Sequence, residues 1–322
     1  MELLNKIFSI TPQNKTDVIQ EVFHFQLKNN TVYRQWFELT GGKQQNTIDS
    51  IPFLPISFFK SHVITTTAFE PSIIFESSGT TATVNSKHYV KDWQIYETSF
   101  LTAFQLFYGA PQDWCIIGLL PAYLERKHSS LVAMVHTLVQ QSRHPDSGFY
   151  LYEYEQLHAT LQRLEAAGQP VILIGVTFAL LDFAEQFPLP IQNTIIMETG
   201  GMKGRRKEIT REALHRQLKK AFGISHVHAE YGMTELLSQA YSSGNGRFYC
   251  PPWMQVLVRN EEDPFEVKLQ GEGILNIIDL ANLYSCSFIA TDDVGKVYED
   301  GSFEVLGRLD NSDIRGCSLL VT

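Results

Sequence analysis

From Trp93 to Phe222 the chain alternates two kinds of apolar pattern. Trp93, Tyr96, Phe100, Phe104 and Phe107 recur at steps of three and four, the stripe of a helix facing a core. Short apolar runs then alternate with helical patterns: Cys115 to Leu120, then Leu131 to Val139; Val171 to Val176, then Phe178 to Phe187; Thr194 to Met197, then Ile209 to Phe222. Runs without polar alternation belong to strands covered on both faces, which predicts an α/β fold of parallel strands covered by helices. Beyond residue 245 the segments shorten, with Gly271, Gly273, Gly295 and Gly301 at the turns, and a small antiparallel β subdomain is expected at the C-terminal end. The first seventy residues read as helices and loops, with Ile51-Pro52-Phe53-Leu54-Pro55 an irregular connector. The expected organisation is a single domain over 1–322: a helical part at 1–70, an α/β core at 71–245 and the β subdomain at 246–322.

Composition narrows the classes of function. With 26 Lys plus Arg against 35 Asp plus Glu, the 322 residues carry a formal charge of −9, which argues against a nucleic-acid or polybasic membrane binder. At 44% hydrophobic and 19% charged, the chain has apolar material for a core, and global disorder is ruled out. The four cysteines, at 115, 250, 286 and 317, form no CxxC pair, so neither a zinc knuckle nor a disulfide framework is suggested and a cytoplasmic setting is expected. The start, Met1 to Lys6, has no apolar signal core, and the longest apolar stretch, Val171 to Leu181, is interrupted by Gly175 and Thr177. No stable membrane insertion is expected.

Three polar segments are candidates for chemistry. Glu76-Ser77-Ser78-Gly79-Thr80-Thr81-Ala82-Thr83 follows the apolar Ile73-Ile74-Phe75 and precedes an expected helix. Hydroxyls and free N–H groups on such a turn can cradle phosphate oxygens, although loops of this composition are usually solvated turns. Neither a Walker A loop nor a GxGxxG fingerprint is present. Tyr231-Gly232-Met233-Thr234-Glu235 follows an expected strand around His226 to Glu230. There Thr234 suits a phosphate, Glu235 is a hard oxygen ligand for magnesium, and Tyr231 can stack on a base. The structural alternative is a helix start, with Thr234 as cap and Glu235 in the first turn. The third segment joins Asp292-Asp293 to Gly307-Arg308-Leu309-Asp310, where acids suit ribose hydroxyls and Arg308 a phosphate or the ribose edge. Its alternative is a pair of hairpin corners.

Taken in order, the three segments resemble the motifs of the adenylate-forming superfamily of acyl-CoA synthetases, luciferases and peptide-synthetase adenylation domains. Within it, Ser77 to Thr81, Leu120 to Arg126, Glu198 to Gly204 and Arg315-Gly316-Cys317 most resemble the acyl-protein synthetase subunits of bacterial bioluminescence fatty-acid reductases. The likeness runs from about residue 50 to the end. It implies a ligase that uses ATP and Mg2+ to convert a carboxylic acid, of the fatty-acid class, to an acyl-adenylate, then transfers the acyl group to a thiol. By motif position, Ser77, Ser78, Gly79, Thr80 and Thr81 hold the phosphates, and Tyr231 and Gly232 meet the adenine. Thr234 binds the α-phosphate and Glu235 magnesium. Asp293, rather than Asp292, takes the ribose with Arg308, and Gly200 and Gly201 border the adenine and acyl pockets. Other outcomes of the same likeness are delivery to coenzyme A, a carrier protein or a biosynthetic amine or hydroxyl, or a catalytically silent partner subunit. The partners implied are an acyl acid and a protein acyl acceptor or partner subunit.

Departures from the motif pattern set further expectations. Ala82 stands where the phosphate loop usually has Gly, and Asp292 replaces the Gly of TGD. Typical members continue past this point for about a hundred residues of mobile C-terminal domain. That domain inserts a lysine between the attacking carboxylate and the phosphate. Replacements are Lys203, Arg205, Arg206 or Lys87, with Lys203 favoured because it sits between glycines expected near the pocket. Alternatively these belong to a solvated basic face running through Arg211, Lys219 and Lys220. Cys317, with five residues after it, is the candidate acyl carrier, and Cys286 is the rival thiol. His226 and His228 lack a third ligand type for a metal site, and His128 and His136 read as structural.

Overall fold

The computed structural model describes residues 2–42, 47–77, 84–121, 128–200 and 210–309. Three helices open the chain: α1 (Glu2–Phe8), α2 (Lys15–Asn29) and α3 (Thr31–Leu39). Asn30 ends the second and caps the third, its side chain accepting from the Tyr33 N–H at 3.0 Å. Next come β1 (Leu54–Pro55) and the short α4 (Phe58–Ser61). Leu54-Pro55, expected as an irregular connector, instead pairs in parallel with Ile289-Ala290. Proline is tolerated there because the strand lies at a sheet edge, where its missing N–H breaks no ladder.

A hairpin follows, β2 (Ile73–Glu76) antiparallel to β3 (Lys87–Val90). The segment expected to run from phosphate loop into helix therefore runs into a strand. The helix, α5 (Trp93–Tyr108), begins only after it, capped by Asp92 onto the Gln94 N–H at 2.9 Å. The central sheet is then built from β4 (Cys115–Leu119), α6 (Ser130–Ser142), β5 (Gly148–Tyr150), α7 (Tyr154–Ala166), β6 (Val171–Val176), α8 (Thr177–Gln186), β7 (Thr194–Thr199), α9 (Arg211–Phe222), β8 (His228–Tyr231) and β9 (Ala240–Ser242). Its strand order is β5-β4-β6-β7-β8-β9, parallel except for antiparallel β9. Every residue of β4 and β6 is buried, which is why the sequence shows unbroken apolar runs there.

The second sheet contains β10 (Met254–Arg259), β11 (Val267–Lys268), β12 (Gly271–Asp279), β13 (Phe288–Val297) and β14 (Phe303–Arg308), with β1 at one edge. Apart from β1 it is antiparallel, as expected. The opening helices pack on it: the Phe23 ring meets Phe288 at 5.9 Å, and the Gln26 side chain donates to the Leu283 carbonyl at 2.8 Å. No helix among the described residues is long and apolar enough to cross a membrane.

Candidate functional site

In a sheet of parallel strands, ligands sit in the crevice beyond the carboxyl ends. Neighbouring β7 and β8 end at Thr199-Gly200 and Tyr231-Gly232, so the sheet itself sets two of the motif segments side by side. Gly200 turns away with φ +69°, and its carbonyl accepts from the Thr177 hydroxyl at 2.9 Å. A Cβ on Gly232 would stand 2.5 Å from a carboxyl oxygen of Glu230, so a larger residue there would have to displace that buried carboxyl. The residues after Gly232 do not start a helix: Thr234-Glu235 form a turn leading into antiparallel β9. The strand before them is also shorter than expected, starting at His228.

Tyr231 reaches from β8 to the second sheet. Its hydroxyl donates to Asp293 Oδ2 at 2.7 Å, and its ring packs on Phe303 and Phe248 at 5.3 and 5.8 Å. The β13–β14 register places Arg308 opposite Asp293, and the guanidinium lies 3.8 Å from both the Asp292 and Asp293 carboxylates. Arg308 is two-thirds exposed, so at that range it holds neither acid tightly. Burial pushes the Asp293 carboxyl above its ordinary value, with the Tyr231 hydroxyl and Arg308 opposing. The second and third motif segments therefore meet, with an acid that can accept two donors and a guanidinium open to solvent.

The first segment joins through its two ends. The Ser77 N–H donates to the Ser86 carbonyl at 3.0 Å, and the Ser86 N–H donates back to Ser77 Oγ at 2.9 Å. The Ser86 side chain in turn hydrogen-bonds the Glu235 carboxyl. Glu235 is 6% exposed, and burial raises its carboxyl above the usual range, opposed by that bond. Lys60 and Arg308 also favour its ionised form through charge. A carboxylate removed from water, with no cation in contact with it among the described residues, suits a hard divalent ion, which typically takes one or two carboxylates and completes its shell with phosphate and water. Lys87 is occupied differently, pairing with Glu76 across the hairpin at 3.6 Å.

Beneath the crevice lies a charged cluster that the sequence did not announce. Glu198, buried at the end of β7, receives Arg211 Nε at 3.0 Å and His215 Nε2 at 3.4 Å. Arg211 also donates to the Val305 carbonyl at 3.0 Å and covers the Phe248 ring, tying α9 to β14. Arg211, expected on a solvated basic face, is instead half-buried and paired. Thr210 explains its position, capping α9 through the Ala213 N–H and making Arg211 the first helical residue.

Glu230 is a further buried acid, its carboxyl pushed up to about 7 by burial and by Glu198, with the Thr199 hydroxyl opposing. A folded value above the ordinary 4.5 means that the stability tied to this proton is complete below about pH 4.5 and lost as pH rises through 7. His88 and His228, lowered to about 4 by burial, act in the opposite direction as pH rises from 4 to 6.5. A difference measurement isolates the acid: chemical denaturation at pH 5 and pH 8 should show Glu230→Gln gaining roughly 2–4 kcal/mol on the parent between the two. A gap that stays constant would mean the carboxyl is ionised throughout.

Ser77, Gly200, Tyr231, Gly232, Thr234, Glu235, Asp293 and Arg308 are thus placed around one region where the two sheets meet. Ser78, Gly79, Thr80, Thr81, Gly201, Lys203, Arg205, Arg206 and Cys317 lie outside the described residues. Cys286, the rival thiol, is fully buried with its pKa pushed to about 12. The His136 ring is exposed and stacks on Phe149, His128 serves the hairpin through its carbonyl, which accepts from the Glu76 N–H, and His228 faces the Tyr108 hydroxyl. Ser86, His88, Glu198, Arg211, Glu230 and Asn282 were missed, since each matters through a partner remote in sequence. Only Glu198, inside the Glu198-Thr199-Gly200-Gly201 motif, carried a signal.

Two sheets meeting beyond the carboxyl ends of β7 and β8 form the fold of adenylate-forming enzymes. The structure is similar to that of 2-hydroxyisobutyryl-CoA ligase, solved in the postadenylation state with an AMP conjugate, with a TM-score of 0.63 and 10% identity over 95% of this chain and 70% of that one. It is similar also to O-succinylbenzoate coenzyme A synthetase from Bacillus subtilis in complex with AMP, with a TM-score of 0.50 and 17% identity over 74% of this chain. The matched part is 49% of that synthetase, about half its length. More narrowly, residues 11–322 match the family "Acyl-protein synthetase, LuxE", and the chain belongs to it. A relative from Aliivibrio fischeri, a long-chain-fatty-acid–luciferin-component ligase, is 23% identical over 99% of this chain and 93% of its own.

Proposed function

We infer that the protein activates a carboxylic acid of the fatty-acid class with ATP and passes the acyl group to a thiol. In the first step a carboxylate oxygen attacks the α-phosphorus. The bond to the departing pyrophosphate breaks, and an acyl-adenylate forms. In the second step a thiolate attacks the acyl carbon and AMP leaves. What supports the reading above all is the convergence of Ser77, Thr234-Glu235, Tyr231 and Asp293-Arg308 at the carboxyl ends of two adjacent parallel strands. Family membership supplies the acid-to-thiol direction.

Each residue has a part in this reading. Thr234 donates to the α-phosphate and Asp293 accepts from the ribose hydroxyls, while Arg308 faces the same sugar. Tyr231 and Gly232 wall the adenine, with Gly200 and Gly201 across from them. Ser77 through Thr81 hold the outer phosphates. Glu235 would hold magnesium, whose contribution when bound is to neutralise phosphate charge as a second anion approaches. Lys203 is the proposed protein cation for the same task, and Cys317 the proposed carrier of the acyl group.

The test is acid-dependent exchange of labelled pyrophosphate into ATP across fatty acids of increasing length, with intact-mass measurement after incubation with ATP and the best acid. Exchange above background together with an added acyl mass is expected. No exchange with any acid would end the reading.

A further inference from the structure

His88 stands on β3, two residues beyond the Ser86 that contacts Glu235. Its Nδ1 lies 2.8 Å from the Thr234 carbonyl oxygen, and its Nε2 lies 2.9 Å from Asn282 Oδ1. The Asn282 amide then donates to the Glu235 carbonyl at 2.8 Å. His88 and Asn282 are both fully buried, with the Phe59 ring edge-on to the imidazole at 5.8 Å. Two successive carbonyls of one turn are therefore held from a strand and from the loop after β12, the segments that flank the phosphate loop and the ribose acids.

Both ring nitrogens face oxygens that accept, the Thr234 carbonyl and Asn282 Oδ1, and a neutral imidazole carries one N–H for the two. With that proton on Nδ1 both turn carbonyls are met, at the cost of the Nε2–Oδ1 bond, and turning the amide over would set Oδ1 against the Glu235 carbonyl instead. An apolar pair filling the same space would avoid that cost.

Resting on the function inferred above, we propose that His88 and Asn282 are positioning residues for the nucleotide reaction: together they clamp the Thr234–Glu235 turn to the strand leaving the phosphate loop. The clamp fixes where the Thr234 hydroxyl and the Glu235 carboxylate stand relative to Ser77 and Ser86. Neither residue need touch the nucleotide.

Three variants separate this role from plain packing. His88→Asn puts an amide N–H where Nδ1 stands and keeps the donation to Thr234. His88→Gln carries its amide to the Nε2 position and leaves the Thr234 carbonyl unmet, and Asn282→Leu frees the Glu235 carbonyl. The readouts are KM for MgATP and kcat in pyrophosphate exchange, thermal midpoint, and amide hydrogen exchange over residues 233–238 without ligand. His88→Asn should stay within about threefold of the parent, while the other two raise KM roughly tenfold and speed local amide exchange by a similar factor. The clamp is overturned if the Asn and Gln variants behave alike, or if midpoints fall while KM and local amide exchange do not move. A parent chain that exchanges no pyrophosphate would sink the inferred function instead, and the amide measurement on the same variants would still decide the clamp.

Discussion

Glu235→Gln should lower magnesium-dependent pyrophosphate exchange by roughly 10²–10³-fold, the range for losing one positioned electrostatic group at a reacting centre. The substitution keeps the size of the side chain and an oxygen for the Ser86 hydroxyl, so the turn is left in place. It removes the negative charge. Because burial raises the Glu235 carboxyl above its ordinary value, its ionised form costs the fold stability, and that cost grows as pH rises through the folded value. The uncharged amide escapes it, so at neutral pH the variant should unfold at the same temperature as the parent or higher. The gain should vanish below about pH 4.5, the carboxyl's ordinary value, where both side chains are neutral. Loss of activity with retained or increased stability is what a functional charge held against its own solvation produces. Exchange assayed over a magnesium series, beside thermal melts at pH 4 and pH 7.5, measures both halves. Activity within twofold of the parent at every magnesium concentration would remove Glu235 from the site.

The contrast between Glu235 and the apolar strands explains what could be read without coordinates. Cys115 to Leu119 and Val171 to Val176 are buried on both faces, and a residue's burial in a parallel sheet is a local property that its own neighbours in sequence reveal. The motif segments were legible for a related reason, since Gly232 and the hydroxyls beside it are uncommon choices whose spacing is itself the signal. Pairings were not legible. Leu54-Pro55 has too few residues to show a period, and its strand exists only because Ile289-Ala290 lies alongside. Lys87 to Val90 is likewise four residues long and is a strand by virtue of Ile73 to Glu76. The turn after Gly232 looked like a helix start because Thr followed by Glu is a good cap. Asp279 decides otherwise, taking the N–H groups of Leu237 and Ser238 at 2.7 and 3.1 Å. His88 and Asn282 are 194 positions apart, and no window along the chain contains both.

Cys317→Ser should abolish covalent acylation while leaving acyl-adenylate formation within about twofold of the parent, because the thiol enters only after the adenylate exists. The other three thiols argue for this split. Cys115 and Cys286 are buried and Cys250 is partly so, and burial pushes their pKa values to about 11, 12 and 12. At neutral pH a thiol at 11 is ionised in roughly one molecule in 10⁴, and the thiolate is the nucleophile. Cys115 also sits at the start of β4, the end of the sheet opposite the crevice. Cys317 is the thiol proposed to meet an adenylate formed beyond β7 and β8. Intact mass after incubation with ATP and acid should therefore show one added acyl group on the parent, cleavable by neutral hydroxylamine as a thioester is, and none on Cys317→Ser. Pyrophosphate exchange on the same preparation shows that the first step survives. A hydroxylamine-sensitive adduct persisting on Cys317→Ser would move the carrier to one of the other three thiols.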